Sequence, residues 1–483
     1  MESLLNFEDL INSVKGTTIL NKCGKDKYCY FTSVQTDSRN VSNNTLFVPL
    51  MGVFQNGHKY IPSSIQNGAS VIFINKSEYE ENKASYDALA NDNPSVLFII
   101  VENTLYALQN AAEQYVTNKC KNMIKISITG SSGKTTTKEM MVSVCKAHFG
   151  EENVAYTKGN FNSETGLPLT AFTIKGSEKV CILEMGMNRV NEIGEISKVL
   201  KSEYGIITNI GTAHIGLLGS RENIAKEKRK SLDYISEKGA AVVGVNDDFA
   251  DFCTENVKGE VIKFGKEVNE SVSGVHFVKD NGLFGSEFTV DGETVKLPLS
   301  GEYNYLNALS VIALAKKIGI NAKEIKKGLE NIGAISGRME VKEITLKNNK
   351  TIALIKDCYN ANLDSMSKVI DFCGSLQNVG KKILVLADMK ELGKESENAH
   401  RAIGKKVLEI NPDYTFIIGS EMAFANEELS QGRNVKYYTE SSETTFCDIA
   451  KIINEVIEDK DVILLKGSHS MELDKLYSMM IKE

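Results

Sequence analysis

The sequence has no hydrophobic run long enough to cross a membrane. One of its longest apolar stretches extends only from Val96 to Val101, whereas a membrane-spanning helix needs about 20 such residues. The first residues, from Met1 to Asp9, lack the basic start and the apolar core of a secretory signal peptide. We therefore predict a cytoplasmic protein with no integral membrane association.

Paired cysteines and an excess of basic charge are also missing. None of the nine cysteines forms a Cys-x-x-Cys pair, which indicates reduced thiols rather than a disulfide framework or a zinc site. The 63 Asp and Glu residues outnumber the 56 Lys and Arg residues, so the net charge is −7. This balance argues against nucleic acid as a partner.

Proline is too scarce to mark domain boundaries. The chain has only six prolines, no low-complexity linker and no repeat of fixed period, so boundaries must follow from the pattern of apolar residues. At a prior of roughly 150 residues per domain, the 483 residues predict about three domains. We place these domains at residues 1–120, 121–334 and 335–483.

Short apolar runs alternate with helical segments, as in the βα units of a mostly parallel sheet. The predicted strands are 45–50, 71–74 and 97–101 in the first domain, 124–129, 180–183, 205–207 and 240–245 in the second, and 352–355, 383–386, 416–418 and 462–465 in the third. We therefore predict an α/β fold, with a small N-terminal domain followed by two doubly wound domains. Ligands of such sheets bind beyond the carboxyl ends of the strands.

The strongest single signal is a glycine-rich segment between a predicted strand and a predicted helix, Thr129-Gly-Ser-Ser-Gly-Lys-Thr-Thr136. In such a turn, backbone N–H groups surround a phosphate chain and the helix dipole adds positive potential. Lys134 is expected to reach the terminal phosphates and Thr135 to ligate Mg²⁺. Ile128 stands where the usual motif has its first glycine, so the loop is a shortened variant. The predicted ATP-binding residues of the loop are Gly130, Ser131, Ser132, Gly133, Lys134, Thr135 and Thr136.

Three further residues are weak signals when each is taken alone. Glu184 follows a predicted strand, where a carboxylate can hold Mg²⁺ but is more often a solvated edge residue. His214 follows the strand that ends at Ile207, and a lone histidine is usually structural. Lys228 lies in a lysine-rich helix whose simplest interpretation is a solvated face. These patterns favour an ATP- and Mg²⁺-dependent enzyme, and they leave open a transferase, a kinase or a nucleotide-driven binding switch.

Ordered motifs extend along nearly the whole chain. They are Thr36–Arg39, Leu46–Val48, Asn56–His58, Lys138–Met140, Gly159–Asn162, Gly166–Pro168, Leu183–Asn188, Thr208–His214, Gly219–Glu222, Gly301–Leu309, Gly337–Arg338, Asp357–Asn362, Asp388–Met389, Glu391–Gly393 and Lys466–Ser468. With these motifs the chain resembles the Mur ligases, the ATP-dependent amide-forming enzymes of peptidoglycan synthesis. The runs 184–188 and 357–362 are typical of the branch that adds D-alanyl-D-alanine to UDP-N-acetylmuramoyl-tripeptide.

The resemblance implies a fold and a reaction. The fold has an N-terminal domain for the UDP part of the substrate, a central P-loop ATPase with a mostly parallel sheet and a C-terminal Rossmann-like domain. In the reaction, a substrate carboxylate attacks the γ-phosphate of ATP, and the incoming amine converts the acyl phosphate to an amide. The resemblance also implies binding residues: Asn304 and Asn307 near adenine, Arg338 near the phosphates, Asp357 near the ribose, Asn162 in the acceptor-substrate loop, and Asp37, Ser38 and Arg39 facing the uridine nucleotide.

The resemblance further implies two Mg²⁺ ions. Thr135 and Glu184 would hold one ion, and His214 would help to hold the second. Lys228 lies fourteen residues after His214 and matches the family lysine that carries a CO₂-derived carbamate, an anion that could ligate Mg²⁺. Lys134, His214 and Lys228 are thus the predicted catalytic residues.

Some positions depart from the family pattern. Ser163 stands where the family usually repeats Asn, and His469 replaces a common Arg near the dipeptide end. A neutral imidazole cannot form the bidentate clamp on a carboxylate that Arg forms. Leu363 for Pro and Ala387 for Gly are expected to change loop stiffness only. These departures leave a Mur-type ligase with another amine substrate as an alternative. A non-catalytic nucleotide-binding paralogue is a second alternative for the whole chain. For Arg39 alone, the alternative to substrate binding is a structural salt bridge. We expect a monomer.

Overall fold

The structure, a computed structural model, describes residues 2–14, 17–20, 30–52, 54–265, 272–346 and 348–480. Within these ranges the chain forms four sheets. The structure divides into two compact units that differ from the three predicted domains. One unit comprises Met1–Ile128, Phe149–Gly205 and Lys230–Gly239, and the other Thr129–His148, Ile206–Arg229 and Ala240–Glu483. The three domain boundaries stay a prediction.

The N-terminal sheet has five strands in the order β1-β5-β4-β3-β2. The strands are β1 (Thr18–Ile19), β2 (Ser33–Gln35), β3 (Thr45–Phe47), β4 (Ala69–Asn75) and β5 (Leu97–Val101). The helices are α1 (Phe7–Ser13), α2 (Ile61–Gln66), α3 (Lys76–Glu81), α4 (Lys83–Asp92) and α5 (Thr104–Lys119). All residues of β5 are buried, as expected of a strand covered on both faces. The predicted strand 45–50 is shorter than expected and ends at Phe47.

The central sheet has six strands in the order β11-β10-β9-β6-β8-β7. The strands are β6 (Ile124–Thr129), β7 (Val154–Tyr156), β8 (Val180–Glu184), β9 (Tyr204–Ile207), β10 (Ala240–Gly244) and β11 (Glu260–Phe264). The helices of this part of the chain are α6 (Lys134–Phe149), α7 (Gly166–Ala171), α8 (Glu192–Leu200), α9 (Ile215–Leu218), α10 (Arg221–Arg229), α11 (Ala250–Thr254), α12 (Glu302–Lys317) and α13 (Ala322–Glu330). The predicted strands of this part are present.

A three-stranded antiparallel sheet lies between β11 and α12 in the chain, and the sequence analysis missed it. Its strands are β12 (Val275–Asp280), β13 (Ser286–Val290) and β14 (Glu293–Leu297). Buried and partly exposed residues alternate along β13, which is typical of a sheet with one covered face. The short alternating runs lacked the continuous apolar character on which the strand predictions relied.

The C-terminal sheet has six strands in the order β15-β16-β20-β17-β18-β19. They are β15 (Glu340–Thr345), β16 (Thr351–Asp357), β17 (Lys382–Ala387), β18 (Tyr414–Ile418), β19 (Val435–Tyr438) and β20 (Val462–Lys466). The helices are α14 (Leu363–Ser375), α15 (Ser396–Ile410), α16 (Ala423–Glu428), α17 (Glu443–Val456) and α18 (Leu473–Met480). Ile383 and Val385 belong to one apolar cluster, and Leu384 and Leu386 to another. Both faces of this sheet are therefore covered, as the doubly wound prediction requires.

Short 3₁₀ helices lie between these elements, at Ser38–Asn40, Gly57–Tyr60, Glu151–Asn153, Lys230–Leu232, Gly282–Phe284, Gly393–Glu395 and His469–Met471. In the described part of the chain, no helix has the length and apolar character that a membrane crossing requires. The described cysteines, at positions 120, 145, 181, 253, 358, 373 and 447, are free thiols, in agreement with the sequence analysis. Cys23 and Cys29 lie outside the described residues.

Helix α6 begins at Lys134, directly after the glycine-rich loop, and packs closely against α13. A Cβ atom added to Gly328 of α13 would lie 2.4 Å from Val144 Cα and 2.7 Å from Val144 N. Ser143 of α6 also donates a hydrogen bond to the Gly328 carbonyl, at 2.6 Å. Close backbone approach therefore fixes the position of the helix that carries the loop.

We predict that Gly328→Ala destabilises the protein by about 1–3 kcal/mol, the usual cost of overpacking. Thermal unfolding would measure the effect as a lower midpoint. Gly333→Ala is the control, because a Cβ atom there would meet no atom within 4 Å. Equal midpoints for the two variants would contradict the packing argument.

Candidate active site

Two positions of the glycine-rich loop require glycine. Gly130 and Gly133 have φ angles of +150° and +82°, and L side chains rarely adopt such values. A Cβ atom on Gly130 would lie 1.8 Å from Thr208 Oγ1, and one on Gly133 would lie 2.8 Å from Asn307 Oδ1. The loop is therefore shaped by close contacts as well as by backbone conformation.

The segment after β9 holds the loop in place. Ser131 N donates to Asn209 O at 2.9 Å, and Ser132 N donates to Asn209 Oδ1 at 3.1 Å. Thr208 Oγ1 donates to Ser132 O at 2.6 Å. Two of the amides predicted to face phosphate thus already have protein acceptors. The phosphate-binding potential is greatest at the start of α6, where the first N–H groups of a helix have no carbonyl partner within the helix.

Two lysine side chains converge on one carbonyl of the loop. Lys134 Nζ and Lys228 Nζ each donate a hydrogen bond to Gly130 O at 2.9 Å. The Lys228 residue is 1% exposed, so the simple interpretation of a solvated helix face is wrong. Burial in the first place, and the charge of Lys134 in the second, lower the pKa of Lys228 well below its ordinary value. This environment favours the neutral amine form of Lys228 over the ammonium form.

His214 lies in a strained turn after β9. Its φ is +63°, and its Nδ1 atom lies 2.7 Å from Glu391 Oε2. This contact has the distance of an ion pair but not the direction of a well-aligned hydrogen bond. The contact with His214 lowers the pKa of Glu391, against the opposing effect of burial. The carboxylate is therefore ionised beside the imidazole at neutral pH.

The predicted adenine residues are buried at the start of α12. Asn304 Nδ2 donates to Ser300 O at 2.8 Å, and Asn307 Nδ2 donates to Asn304 Oδ1 at 3.3 Å. Because Asn307 also lies against Gly133, these asparagines support the base of the phosphate loop. A contact with adenine stays a prediction.

Arg338 and Asp357 have well-defined partners in the C-terminal sheet region. The Arg338 guanidinium lies over the Tyr359 ring, 4.1 Å from its centroid. Asp357 Oδ2 lies 2.7 Å from Lys466 Nζ, and Asp357 Oδ1 accepts a hydrogen bond from Met339 N at 3.1 Å. The sequence analysis matched Lys466 within a family motif but assigned it no role. A single lysine after a strand gives no local signal of a buried ion pair.

Glu184 and Asn162 are in direct contact. Asn162 Nδ2 donates to Glu184 Oε1 at 2.7 Å, and Glu184 N donates to Thr157 Oγ1 at 3.0 Å. The other carboxylate oxygen, Glu184 Oε2, is buried and has no hydrogen-bond partner in the described chain. Nearby, Ser163 Oγ accepts a hydrogen bond from Gly166 N at 3.2 Å. Its hydroxyl therefore has a local structural partner.

The predicted uridine-nucleotide residues form a local ion pair. Arg39 donates to Asp37 Oδ2 through Nη2 at 2.6 Å and to Asp37 Oδ1 through Nε at 3.0 Å. The hydrogen bonds from Arg39 lower the pKa of Asp37 to about 2. The Arg39 side chain is 87% exposed, whereas Ser38 is buried. The salt bridge that the sequence analysis kept as an alternative is present.

The predicted metal ligands do not form a cluster of metal-binding side chains in the described part of the chain. Within the described ranges, no group of three or more His, Cys, Asp or Glu side chains is arranged to hold a metal ion. The predicted metal set combines Thr135, Glu184, His214 and a modified Lys228, so it does not correspond to such a group. These assignments stay predictions.

Known families match the chain over most of its length. The models of the Mur ligase family catalytic domain, the Mur ligase middle domain and the Mur ligase glutamate ligase domain match residues 30–116, 128–315 and 337–469. A UDP-N-acetylmuramoyl-tripeptide–D-alanyl-D-alanine ligase from Treponema pallidum is 33% identical over 99% of this chain and 100% of its own length. This chain belongs to the Mur ligase family. The resemblance predicted from the motifs is confirmed.

Solved structures agree with the fold of this Mur ligase. MurF from Acinetobacter baumannii has a TM-score of 0.82 at 25% identity and covers 98% of both chains. MurF from Thermotoga maritima, solved in complex with ADP, has a TM-score of 0.74 at 23% identity over 92% of this chain and 96% of its own. At that identity the second likeness shows the fold alone. The predicted three-domain α/β fold class and the predicted class of ligase enzyme are confirmed.

We predict that Gly133→Ala weakens the binding of ADP to this Mur ligase at least about tenfold, equivalent to 1.4 kcal/mol. The added Cβ would displace Asn307 and distort the loop. Titration calorimetry with ADP measures the effect. Gly292→Ala is a matched control, because its φ of +87° gives the same backbone strain but its Cβ would meet no atom within 4 Å. Unchanged ADP affinity in Gly133→Ala would contradict the assignment of this loop.

Proposed function

We propose that this Mur ligase joins D-alanyl-D-alanine to UDP-N-acetylmuramoyl-tripeptide, with cleavage of ATP to ADP and phosphate, as a step of peptidoglycan precursor synthesis. Relatives with this activity in their names match 93–99% of the chain. The observation that carries the proposal is the pair of lysines on Gly130 O. We further propose that the enzyme works as a monomer in the cytoplasm.

The proposed chemistry has two steps. A carboxylate oxygen of the tripeptide attacks the γ-phosphorus, the bond from that phosphorus to ADP breaks, and an acyl phosphate forms. The amine of the dipeptide then attacks the acyl carbon, phosphate leaves, and the nitrogen loses a proton. Negative charge accumulates in both steps, so cations and oriented N–H donors supply most of the stabilisation.

Nucleotide binding is assigned to the glycine-rich loop and to three segments around it. Lys134 and the N–H groups at the start of α6 face the β- and γ-phosphates. Asn304 and Asn307 are proposed to contact adenine. Arg338 is proposed to contact the phosphates, and Asp357 the ribose. The ADP complex of the fold neighbour from Thermotoga maritima supports a nucleotide in a protein of this fold. The stack of Arg338 on Tyr359 holds the guanidinium in a fixed direction.

The oxygen donor of Glu184 fits the ligand chemistry of Mg²⁺. Glu184 Oε2 is a buried carboxylate oxygen without a partner in the described chain, and leaving such an atom unpaired costs about 1–3 kcal/mol. Hard oxygen ligands of this kind are those that Mg²⁺ prefers. We assign Thr135 and Glu184 to one ion, and His214 with modified Lys228 to a second, as the family resemblance implies. Bound Mg²⁺ would neutralise the charge of the phosphates.

Lys228 is proposed to carry a carbamate. Only a neutral amine attacks CO₂, and the burial of Lys228 beside Lys134 favours the neutral form. The amine nitrogen forms a bond to the CO₂ carbon, one C=O bond becomes C–O⁻, and a proton from the nitrogen is released to solvent. The step converts a side chain that would repel Mg²⁺ as an ammonium into an anion that would attract it. The same anion would relieve the repulsion from Lys134. Burial thus favours the neutral amine that reacts with CO₂, and the charge of Lys134 favours the resulting anion.

The acceptor substrates are assigned to separate residues. Asp37, Ser38 and Arg39 are proposed to face the uridine nucleotide, and Asn162 the acceptor end of the tripeptide. His469 stacks edge-on against Tyr359, with ring centroids 5.9 Å apart. We propose that this imidazole lies at the dipeptide end. A related amine such as D-alanyl-D-lactate is the alternative substrate to test.

We predict that the purified protein converts ATP, UDP-N-acetylmuramoyl-tripeptide and D-alanyl-D-alanine to UDP-N-acetylmuramoyl-pentapeptide, ADP and phosphate. Mass spectrometry of the nucleotide products is the measurement. Omission of the dipeptide is the control. If neither the pentapeptide nor ADP forms while a known ligase works under the same conditions, the chain is a non-catalytic paralogue. If ADP and a product form only with another amine, the dipeptide assignment is wrong.

We predict that Lys228→Ala lowers turnover by a factor on the order of 10² or more, about 2.7 kcal/mol, while ADP still binds. The variant loses an anion at the site of phosphoryl transfer. Lys226→Ala is the control, because Lys226 is exposed on the same helix. A short carboxylic acid in solution should partly restore the Lys228→Ala variant. Near-normal activity of that variant would refute the carbamate assignment.

A further inference from the structure

Two carboxylates of the C-terminal sheet region contact the loop that carries His214. Asp364 lies in the first turn of α14, after a capping box at Asn362. Glu391 lies in the turn between β17 and α15 and has a φ of +64°. Neither residue is assigned a role by the proposed function. Both contacts lie within one of the two compact units.

Asp364 binds the backbone just before His214. Its Oδ2 atom accepts hydrogen bonds from Thr212 N at 2.7 Å and from Thr212 Oγ1 at 2.8 Å. Gly211 allows this approach, because a Cβ atom there would lie 2.3 Å from Asp364 Oδ2. The turn that presents His214 is therefore fixed by a charged acceptor from a distant part of the sequence.

Glu391 binds the side chain of His214 and the backbone just after it. Its Oε2 atom lies 2.7 Å from His214 Nδ1, and its carbonyl accepts a hydrogen bond from Gly216 N at 3.1 Å. The two backbones are in close contact, since a Cβ atom on Gly216 would lie 2.5 Å from Gly393 N. Asp364 through its carboxylate and Glu391 through its backbone carbonyl thus hold the loop on both sides of His214.

A histidine that ligates a metal usually gives its other ring nitrogen to a carboxylate, which fixes the tautomer and the ring orientation. Nδ1 of His214 faces Glu391, so Nε2 is the nitrogen left for a metal ion. The ion pair itself contributes little to stability, because the Glu391 side chain is 48% exposed and such pairs are worth about 0–1 kcal/mol. The contact keeps Nδ1 beside the carboxylate through charge and close approach, and it adds little to stability.

We propose that Asp364 and Glu391 are positioning residues that set the His214 loop for metal binding. The inference rests on the proposed function, because that proposal makes His214 a metal ligand. Since both carboxylates come from the C-terminal sheet region, the orientation of His214 depends on the contact of that region with the loop. The same region carries Arg338 and Asp357, which the proposed function assigns to the nucleotide.

The test is the affinity of the full chain for Mn²⁺, used as a spin-active substitute for Mg²⁺ and measured by electron paramagnetic resonance with ADP and bicarbonate present. Glu391→Gln should weaken Mn²⁺ binding about 10- to 100-fold, the usual effect of losing such a carboxylate. Glu397→Gln is the matched control, since Glu397 forms an exposed ion pair with Arg401 on α15. Equal Mn²⁺ affinity in Glu391→Gln and wild type would overturn the proposal for Glu391.

A second set of variants tests the backbone contact. Thr212→Val removes the hydroxyl donor to Asp364 and should lower kcat about tenfold or more with KM for ATP unchanged, whereas Thr212→Ser should restore kcat. Asp364→Asn should weaken Mn²⁺ binding, and Asp371→Asn is its control on the same helix. Unfolding midpoints of all variants would be compared. A kcat loss that Thr212→Ser does not restore, or that follows the midpoint, would overturn the positioning role of Asp364.

These outcomes separate the inference from the proposed function. If wild-type protein forms no pentapeptide product, the proposed function fails, and the Mn²⁺ affinities still decide whether Glu391 orients a metal-binding histidine. If wild type forms the product and Glu391→Gln binds Mn²⁺ as tightly as Glu397→Gln, the inference alone fails for Glu391.

Discussion

The contact on which the site depends is the convergence of two lysine side chains on the carbonyl of Gly130. Bringing two cations to one acceptor is unfavourable unless one of them loses its charge or a nearby anion compensates. Lys228 is buried, so it is the group that loses its charge more readily. The proposed phosphates and the proposed carbamate would each place negative charge beside these two lysines. Gly130 and Gly133 are required for a steric reason, because any side chain there would displace Thr208 or Asn307.

The same loop is held from three parts of the sequence. Thr208 and Asn209 bind its backbone, Asn307 lies against Gly133, and Asn362 donates a hydrogen bond to Ser132 Oγ at 3.3 Å. The last contact comes from the residue that caps α14, one position before Leu363 and two before Asp364. The cap and the first turn of α14 thus contact both segments: Asn362 contacts the phosphate loop, and Asp364 contacts the His214 turn. A nucleotide that binds at the loop meets a surface to which the C-terminal region already contributes.

Local patterns in the sequence were enough to predict several features of the fold and site. The strand at 383–386 was predictable because its continuous burial leaves an apolar run, and the strand at 124–129 because apolar residues alternate along it. The glycine-rich loop was predictable because its chemistry is confined to one short segment. The Lys466 contact with Asp357 and the Glu391 contact with His214 were not, because each joins residues far apart in the chain. The burial of Lys228 is of the same kind, because a lysine-rich helix gives no periodic signal that one lysine faces inward. The family resemblance predicted a function for Lys228 and not its burial.

The central claim is that Lys228 is a carbamate in the working enzyme. The most direct measurement is carbon-13 nuclear magnetic resonance of the full chain incubated with ¹³C-bicarbonate and ADP. The account predicts a protein-bound carbamate carbonyl signal that is absent from Lys228→Ala and unchanged in Lys226→Ala. A wild-type protein that forms product without any such signal, or a signal that persists in Lys228→Ala, would contradict it.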